Sequence, residues 1–479
     1  MAKTYQPIDS IASHSIWRKW VLSCFAVVLC ILFWNIATYT FSDEETTNDF
    51  DSKVQIDDTQ SASAGIVDDY QETMTEEQIN LKYCGSPVCK FMFPVFVNEQ
   101  ESRARLHMRR LIILAQETGR ALVLPNVEHS RYSTCQTYSF DYYYSIEAMR
   151  QSSPNTTFIT QSQLLLWSQE MKAIRARIPT VNIVYLNKTG KNDLDRIVSE
   201  QINLEVYKKD YCLQPFDYLS YGDELETNIT AFRVFARQPT AENIVTAVAV
   251  AQFVINSLRS IQSDVIFVHY HFRRFNCPQV QHIPAPLQYA DHLIERAETI
   301  STFLYPYIAI HWRMETARPE KLVSCSIRLL EYVQRIKKEQ KISNVYVATD
   351  YPIDGGDIHS GSFLELTEDH HRAAKMVVNN LDFYTWQRLN TTLPPFENDE
   401  FVAIGKKPVD KERLGVLAIW DKLVLMHANW FVSGPVGCCR STSSYTAQVV
   451  KGRGTIMEYQ GPLGEEPPKD ALLNLWDTW

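Results

Sequence analysis

The chain has no excess of basic residues: 47 Lys and Arg stand against 56 Asp and Glu, giving a net charge of -9 and a pI near 5.8. Nucleic-acid binding rests on neutralising phosphates, so that class is set aside. No Cys-x-x-Cys and no His-rich spacing occurs, which leaves the cysteines no zinc motif to serve. No internal repeat is visible, and repeat architectures are excluded with it. One stretch lacks charge altogether, the run from Trp20 to Phe41.

A helix of about 20 apolar residues crosses the roughly 30 Å bilayer core, so this run predicts a membrane span over 20–41. Arg18 and Lys19 precede it and Asp43, Glu44 and Glu45 follow, which keeps residues 1–19 as a cytosolic tail and sends the rest to the lumen. A cleaved signal peptide has a shorter apolar region, about 7 to 15 residues, whereas this one continues through Phe33, Trp34, Ile36 and Tyr39. The expectation is a single-pass type II protein of the Golgi or endoplasmic reticulum. Of the 10 cysteines, Cys24 and Cys30 fall in the span. The even remainder suits disulfides in an oxidising compartment, and Cys84 and Cys89 enclose a small loop and are positioned to pair. Asn155, Asn187, Asn228 and Asn390 each begin an Asn-x-Ser/Thr triplet, which a lumenal location makes glycosylatable.

Residues 42–80 are acidic, rich in Ser and Thr and without sustained period, so they read as a disordered stem. The folded part is too long for one ordinary core, and two domains are expected, 81–298 and 299–479. The first opens as a βαβ unit: strand Lys90 to Phe96, helix Ser102 to Thr118, strand Ala121 to Leu124 stopped by Pro125. Further strands are expected at Ile183 to Leu186 and Val265 to His269, with a helix at Asn243 to Leu258. After a helix at Leu287 to Phe303 the pattern restarts with strands Tyr307 to Trp312, Val345 to Thr349, Met376 to Val378 and Trp430 to Ser433. Helices at Ser324 to Glu339, at Gly415 to Asn429 and from Ser443 alternate with them. This is an α/β pattern of two Rossmann-like, doubly wound domains facing a cleft, the GT-B architecture, with ligands at the C-terminal strand ends.

Three strand ends carry polar groups. Ile308-Ala309-Ile310-His311-Trp312-Arg313-Met314-Glu315 places His311, Arg313 and Glu315 on one face at the strand's C-terminal end. Arginine suits a diphosphate, because its planar fork donates paired hydrogen bonds and stays charged; the bland alternative is a structural Arg313–Glu315 ion pair beside a buried His. Asn344 to Asp350 is a second apolar strand with a polar end, where Asp350 either accepts from a base or ribose or caps a turn before Pro352. Trp430 to Gly434 and then Ser441 to Tyr445 open a helix whose N-terminal donors make an anion cradle or an ordinary cap. His269-Tyr270-His271 with Arg273 and Arg274 lines the cleft or sits at the surface.

Together these pieces resemble the GDP-fucose protein O-fucosyltransferase superfamily, especially its plant-like branch. His311-Trp312-Arg313-Met314-Glu315 is similar to its His-x-Arg-x-Glu strand end, Ala348-Thr349-Asp350 to its Ala-Thr-Asp strand, and Ser443-Ser444-Tyr445 to its Ser-Ser-Phe segment. The resemblance implies a metal-independent, inverting fucosyltransferase that moves fucose from GDP-fucose, its donor substrate and not a cofactor, to a hydroxyl of a protein or glycan acceptor. It implies that Arg313 holds the β-phosphate with His311 nearby, and that Asp350, Ser443, Ser444 and Tyr445 contact the nucleotide. The Asp-x-Asp at Asp193-Leu194-Asp195 lies in a charged stretch and is not expected to hold the cation that many GT-A transferases use.

The chain departs from the family after its first strand, where Val97-Asn98-Glu99-Gln100-Glu101-Ser102-Arg103 has no glycine. Glu99 and Glu101 are the candidates for the base that deprotonates the acceptor, against charge placement at a helix start. A transferase using another nucleotide sugar, or a catalytically silent lumenal binding protein, are the alternatives.

Overall fold

A computed structural model describes residues 74–456 apart from 175–176, 188–203, 222–228, 234–240, 271–286, 316, 356–364, 391–400, 405, 408–414 and 434–443. The expected tail, span and most of the stem lie outside these residues, as do Asp193, Asp195, His271, Arg273, Arg274 and Ser443. No helix among the described residues is long and apolar enough to cross a membrane.

The first described element lies inside the expected stem. Helix α1 (Glu76–Cys84) starts on Thr75, whose side chain accepts from the Gln78 N–H while Gln78 reaches back to the Thr75 N–H, a reciprocal box that satisfies two end donors. Its Ile79 and Asn80 are buried, and Trp167 donates to Asn80. For residues 76–80 the disordered reading is corrected accordingly, since Thr-x-x-Gln is itself a start signal. The Cys84–Cys89 disulfide, with 5 residues of separation, then turns the chain into the first strand.

Strand β1 (Phe91–Val97) is followed by α2 (Glu101–Thr118), which ends at Gly119 in the left-handed region. Then come β2 (Ala121–Leu124), the short β3 (Asn126–Glu128) and β4 (Arg131–Ser133), α3 (Ile146–Ser152), β5 (Phe158–Thr160) and α4 (Gln161–Ala173). Next are β6 (Val181–Asn187), α5 (Leu204–Asp210), β7 (Ile229–Arg233), α6 (Ala241–Ser260) and β8 (Val265–Tyr270). Strands β5-β2-β1-β8-β6-β7 pair side by side, all parallel. The β3–β4 ribbon joins antiparallel to the C-terminal end of β1. A second disulfide, Cys135–Cys212, closes a separation of 77 residues.

The pattern restarts with α7 (Asp291–Leu304), β9 (Tyr307–Trp312), α8 (Pro319–Gln340), β10 (Asn344–Thr349) and α9 (Glu368–Asn380). It continues with α10 (Trp386–Asn390), α11 (Leu417–His427), β11 (Trp430–Ser433) and α12 (Ser444–Ile456). Here the sheet is three parallel strands, β10-β9-β11. The strand expected at Met376 to Val378 is the end of helix α9 instead, because His370, Ala373, Ala374 and Val377 are its buried positions, a helical spacing.

Alternation along the strands splits the core. Phe91, Phe93 and Val95 enter a cluster on the far side of the first sheet, and Ile308, Ile310 and Trp312 enter one on the far side of the second. Met92 and Ala309, on the opposite faces, belong to one shared cluster with Ile112, Tyr346, Val424 and Val449. Burying each large apolar side chain contributes about 1.5–3 kcal/mol. His269 is fully buried against Tyr185, Tyr207 and Tyr211 and bonds to the Tyr207 hydroxyl at 2.8 Å, so it is neither a cleft-lining nor a surface group.

Candidate functional site

Each sheet has a strand flanked by partners that leave in opposite directions, the topological switch at which doubly wound sheets bind ligands. In the first sheet β1 lies between β2 and β8. In the second, β9 lies between β10 and β11, with His311 level with Ala348 on one side and Ser433 on the other.

The alternation expected at the end of β9 is present. Trp312 and Met314 point into the apolar far side, while His311 turns to helix α12. Its Nδ1 lies 2.9 Å from the Thr446 hydroxyl, and its ring lies 4.7 Å from that of Tyr445. Burial, and then the charge of Arg313, push His311 down to about 3, so the ring is neutral at any physiological pH. A neutral imidazole at this place buttresses α12 and adds no charge to the site.

Arg313 remains one-quarter exposed and pairs with Glu315, whose side chain is almost fully buried. Burial lowers the Arg313 pKa, Asp350 opposes that, and the charge of Arg103 lowers it further. Arg103 belongs to the first turn of α2, so two guanidiniums from the two sheets' switch points share one electrostatic neighbourhood. The structural ion pair between Arg313 and Glu315 and the outward-facing cation therefore coexist.

Asp350 takes the turn-holding alternative. Its carboxylate accepts the Met314 N–H at 2.8 Å and the Glu315 N–H at 3.0 Å, shaping the segment that carries Arg313. Each oxygen accepts one backbone N–H, so the carboxylate's observed role is to shape that segment. Burial pushes the carboxyl up to about 6, opposed by the Met314 bond and the charge of Arg313. Tyr445, also expected to contact the nucleotide, packs its ring at a tilt against His311 and donates its hydroxyl to the Ala418 carbonyl. Ser444 begins α12.

The loop after β1 explains the missing glycine. Asn98 donates its backbone N–H to the Tyr270 carbonyl at the end of β8, and Glu99 then takes a φ of 91°. That conformation favours glycine and costs a residue with a Cβ roughly 1–2 kcal/mol. Here a glutamate occupies it, with a side chain only 11% exposed and 3.4 Å from Arg103. The turn is glycine-like in backbone and acidic in side chain.

Glu101 is not the base. One oxygen accepts from the Tyr144 and Tyr289 hydroxyls, the other from the Ser102 hydroxyl and the ammonium of Lys422. Burial alone would raise its pKa, but the charges of Lys422 and Arg105 and these bonds bring it down to about 2. A carboxylate this acidic, with both oxygens occupied, is a poor proton acceptor. Its surroundings were not foreseen from sequence. Lys422 is fully buried, and Arg105 lies over the rings of Tyr289 and Tyr144, 4.6 and 5.9 Å from their centroids. The available signal was an Asp-Lys pair, Asp421-Lys422, inside the otherwise apolar run Leu417–His427.

Asp421, the preceding residue, accepts from the Tyr346 hydroxyl. Burial, opposed by that bond, pushes it up to about 7. A folded-state pKa above the unfolded value gives stability that is present at low pH and lost as pH rises through the folded pKa. The difference in melting temperature between the native chain and Asp421→Asn is therefore expected to change steadily from about pH 4 to about pH 7 and then level off. Melting curves across that range check it; a pH-independent difference contradicts the assignment.

No protein-family model matches the chain and no curated protein is similar to it in sequence. Solved structures do match. POFUT1 in complex with GDP aligns over 77% of this chain and 95% of its own at 12% identity, with a TM-score of 0.39. POFUT1 in complex with GDP-fucose gives 76%, 94%, 12% and 0.40. NodZ alpha-1,6-fucosyltransferase co-crystallized with GDP gives 76%, 92%, 12% and 0.33. What these share with the chain is a mixed α/β fold.

Proposed function

We propose that this chain is a metal-independent, inverting glycosyltransferase that moves fucose from GDP-fucose to a hydroxyl of a protein or glycan acceptor. The observation that carries the reading is Arg313, one-quarter exposed at the end of β9 where its sheet's switch point lies, with the charge of Arg103 from the start of α2 acting on it. The second support is the His-x-Arg-x-Glu, Ala-Thr-Asp and Ser-Ser-Tyr series of sequence motifs.

In this reading the diphosphate displaces Glu315 from Arg313 and takes its paired hydrogen bonds. GDP leaves as an anion, and cations with helix-terminal donors stabilise that charge as the bond from sugar C1 to phosphate oxygen breaks. The acceptor oxygen attacks C1 from the opposite side and its proton passes to the Glu99 carboxylate, which inverts the configuration. Glu101 is left out of the chemistry. The chain is a type II membrane protein with its catalytic part in the lumen of the Golgi or endoplasmic reticulum. Supports for that location are the uncharged run 20–41, the disulfides Cys84–Cys89 and Cys135–Cys212, and the exposed Asn155.

Titrating GDP, GDP-fucose, GDP-mannose and UDP into the full chain tests the donor. Tightest binding of GDP-fucose is expected; preference for UDP sinks the fucose assignment. The nearly buried Glu315 that already neutralises Arg313 favours the silent binding protein, and turnover of GDP-fucose excludes it. Glu99 has its own test. Glu99→Gly is expected to stabilise the fold by about 1 kcal/mol, by relieving the positive φ, and to slow transfer by about a hundredfold or more. Unfolding by urea read beside transfer rate checks both; a variant that gains stability and keeps its rate removes Glu99 from the mechanism.

A further inference from the structure

We propose that Lys422 is a positioning residue for the donor site: its buried ammonium fixes the first turn of α2, and with it Arg103, against the strand end that carries Arg313. The proposal rests on the diphosphate reading above and adds a residue that touches neither nucleotide nor acceptor.

Lys422 projects from α11 and is fully buried. Its Nζ, with three protons, lies within hydrogen-bond distance of four oxygens: a Glu101 carboxylate oxygen, the Ser102 hydroxyl at 2.8 Å, the Tyr289 hydroxyl at 2.9 Å and Gln448 Oε1 at 3.0 Å. These oxygens come from three separate places: the start of α2, the segment before α7, and helix α12. Gln448 closes the ring by donating its amide to the Ser102 carbonyl. The residue that follows Ser102 is Arg103, so the clamp grips the backbone immediately before one of the two site arginines.

The same ammonium reaches the other side of the site. It lies 5.1 Å from the centroid of the Tyr445 ring, and that ring lies 4.7 Å from the His311 ring at the end of β9. Its surroundings beyond these groups are the apolar cluster shared by both sheets. An apolar replacement for a buried ion pair is often as stable or more so. What an ammonium adds is geometry, because its protons need oxygens at set places around it. In this seam those places are the start of α2, the Tyr289 hydroxyl before α7 and Gln448 on α12.

The full chain would be compared with Gln448→Ala, Lys422→Met and the charge-balanced Glu101→Gln/Lys422→Met, measuring the GDP dissociation constant by calorimetry beside thermal melting. Positioning predicts that the double variant melts near the native chain yet binds GDP on the order of tenfold to a hundredfold more weakly, the scale of a small misplacement. Gln448→Ala, which leaves the ion pair intact, is expected to weaken GDP in the same direction with little change in melting. GDP affinity that returns with the melting temperature in the double variant, and is unmoved by Gln448→Ala, overturns the proposal and leaves a pair that serves stability alone. A native chain that binds no GDP overturns the diphosphate reading, and the proposal with it.

Discussion

Replacing Arg313 by alanine is expected to lower turnover of GDP-fucose by about a hundred- to a thousandfold, the effect of removing one donor from the place where charge develops. The loss should fall on kcat as well as on donor KM, because the guanidinium meets more negative charge in the departing GDP than in the bound sugar nucleotide. Arg313→Lys keeps a charge and loses the planar fork, and an intermediate rate is expected. Arg150, exposed on α3, supplies the control: Arg150→Ala should leave both constants unchanged. Steady-state kinetics on the three variants decide the matter, and equal rates for Arg313→Ala and Arg150→Ala would remove the guanidinium from the chemistry. Because Arg313→Ala also leaves the nearly buried Glu315 without its cation, each rate is to be read at a temperature where unfolding curves show the variant folded.

The second large effect is on stability. Lys422→Met strands Glu101, whose carboxylate is 5% exposed, without its main counter-charge. Breaking a buried pair from one side costs about 3–5 kcal/mol, a large fraction of the roughly 5–15 kcal/mol that holds an ordinary domain together. Adding Glu101→Gln should return most of that loss, since the amide oxygen still accepts from Tyr144 and Tyr289 while the orphaned charge is gone. Urea unfolding of the native chain, the single and the double variant gives the coupling directly. A single variant within 1 kcal/mol of the native chain, by order of magnitude, would mean that water or another group neutralises Glu101.

The sequence was most legible where one signal sufficed. Tyr307–Trp312, Ala121–Leu124 and Trp430–Ser433 are observed with the bounds their apolar runs predict, because a short buried strand between breakers has few alternatives. Met376 to Val378 misled for the same reason, since three apolar residues read alone look like a strand, and only the spacing back to His370 shows the helix. At the site, the His311–Arg313 face was readable from period-2 alternation. The Asp350 bonds to Met314 and Glu315 were not, since a strand-end acid is equally suited to ligand or backbone. Glu101 and Lys422 lie 321 positions apart, and no local pattern brings them together. The absence of glycine after β1 concealed a turn that the backbone makes at Glu99 regardless.

On the proposed reading a nucleotide diphosphate sits at the ends of β9 and β11, held by Arg313 and under the charge of Arg103. A structure of the full chain with GDP bound tests it most directly. The β-phosphate is expected within hydrogen-bond distance of the Arg313 fork, with the Glu315 carboxylate displaced. Phosphates bound elsewhere, with Arg313 still closed on Glu315, would contradict it.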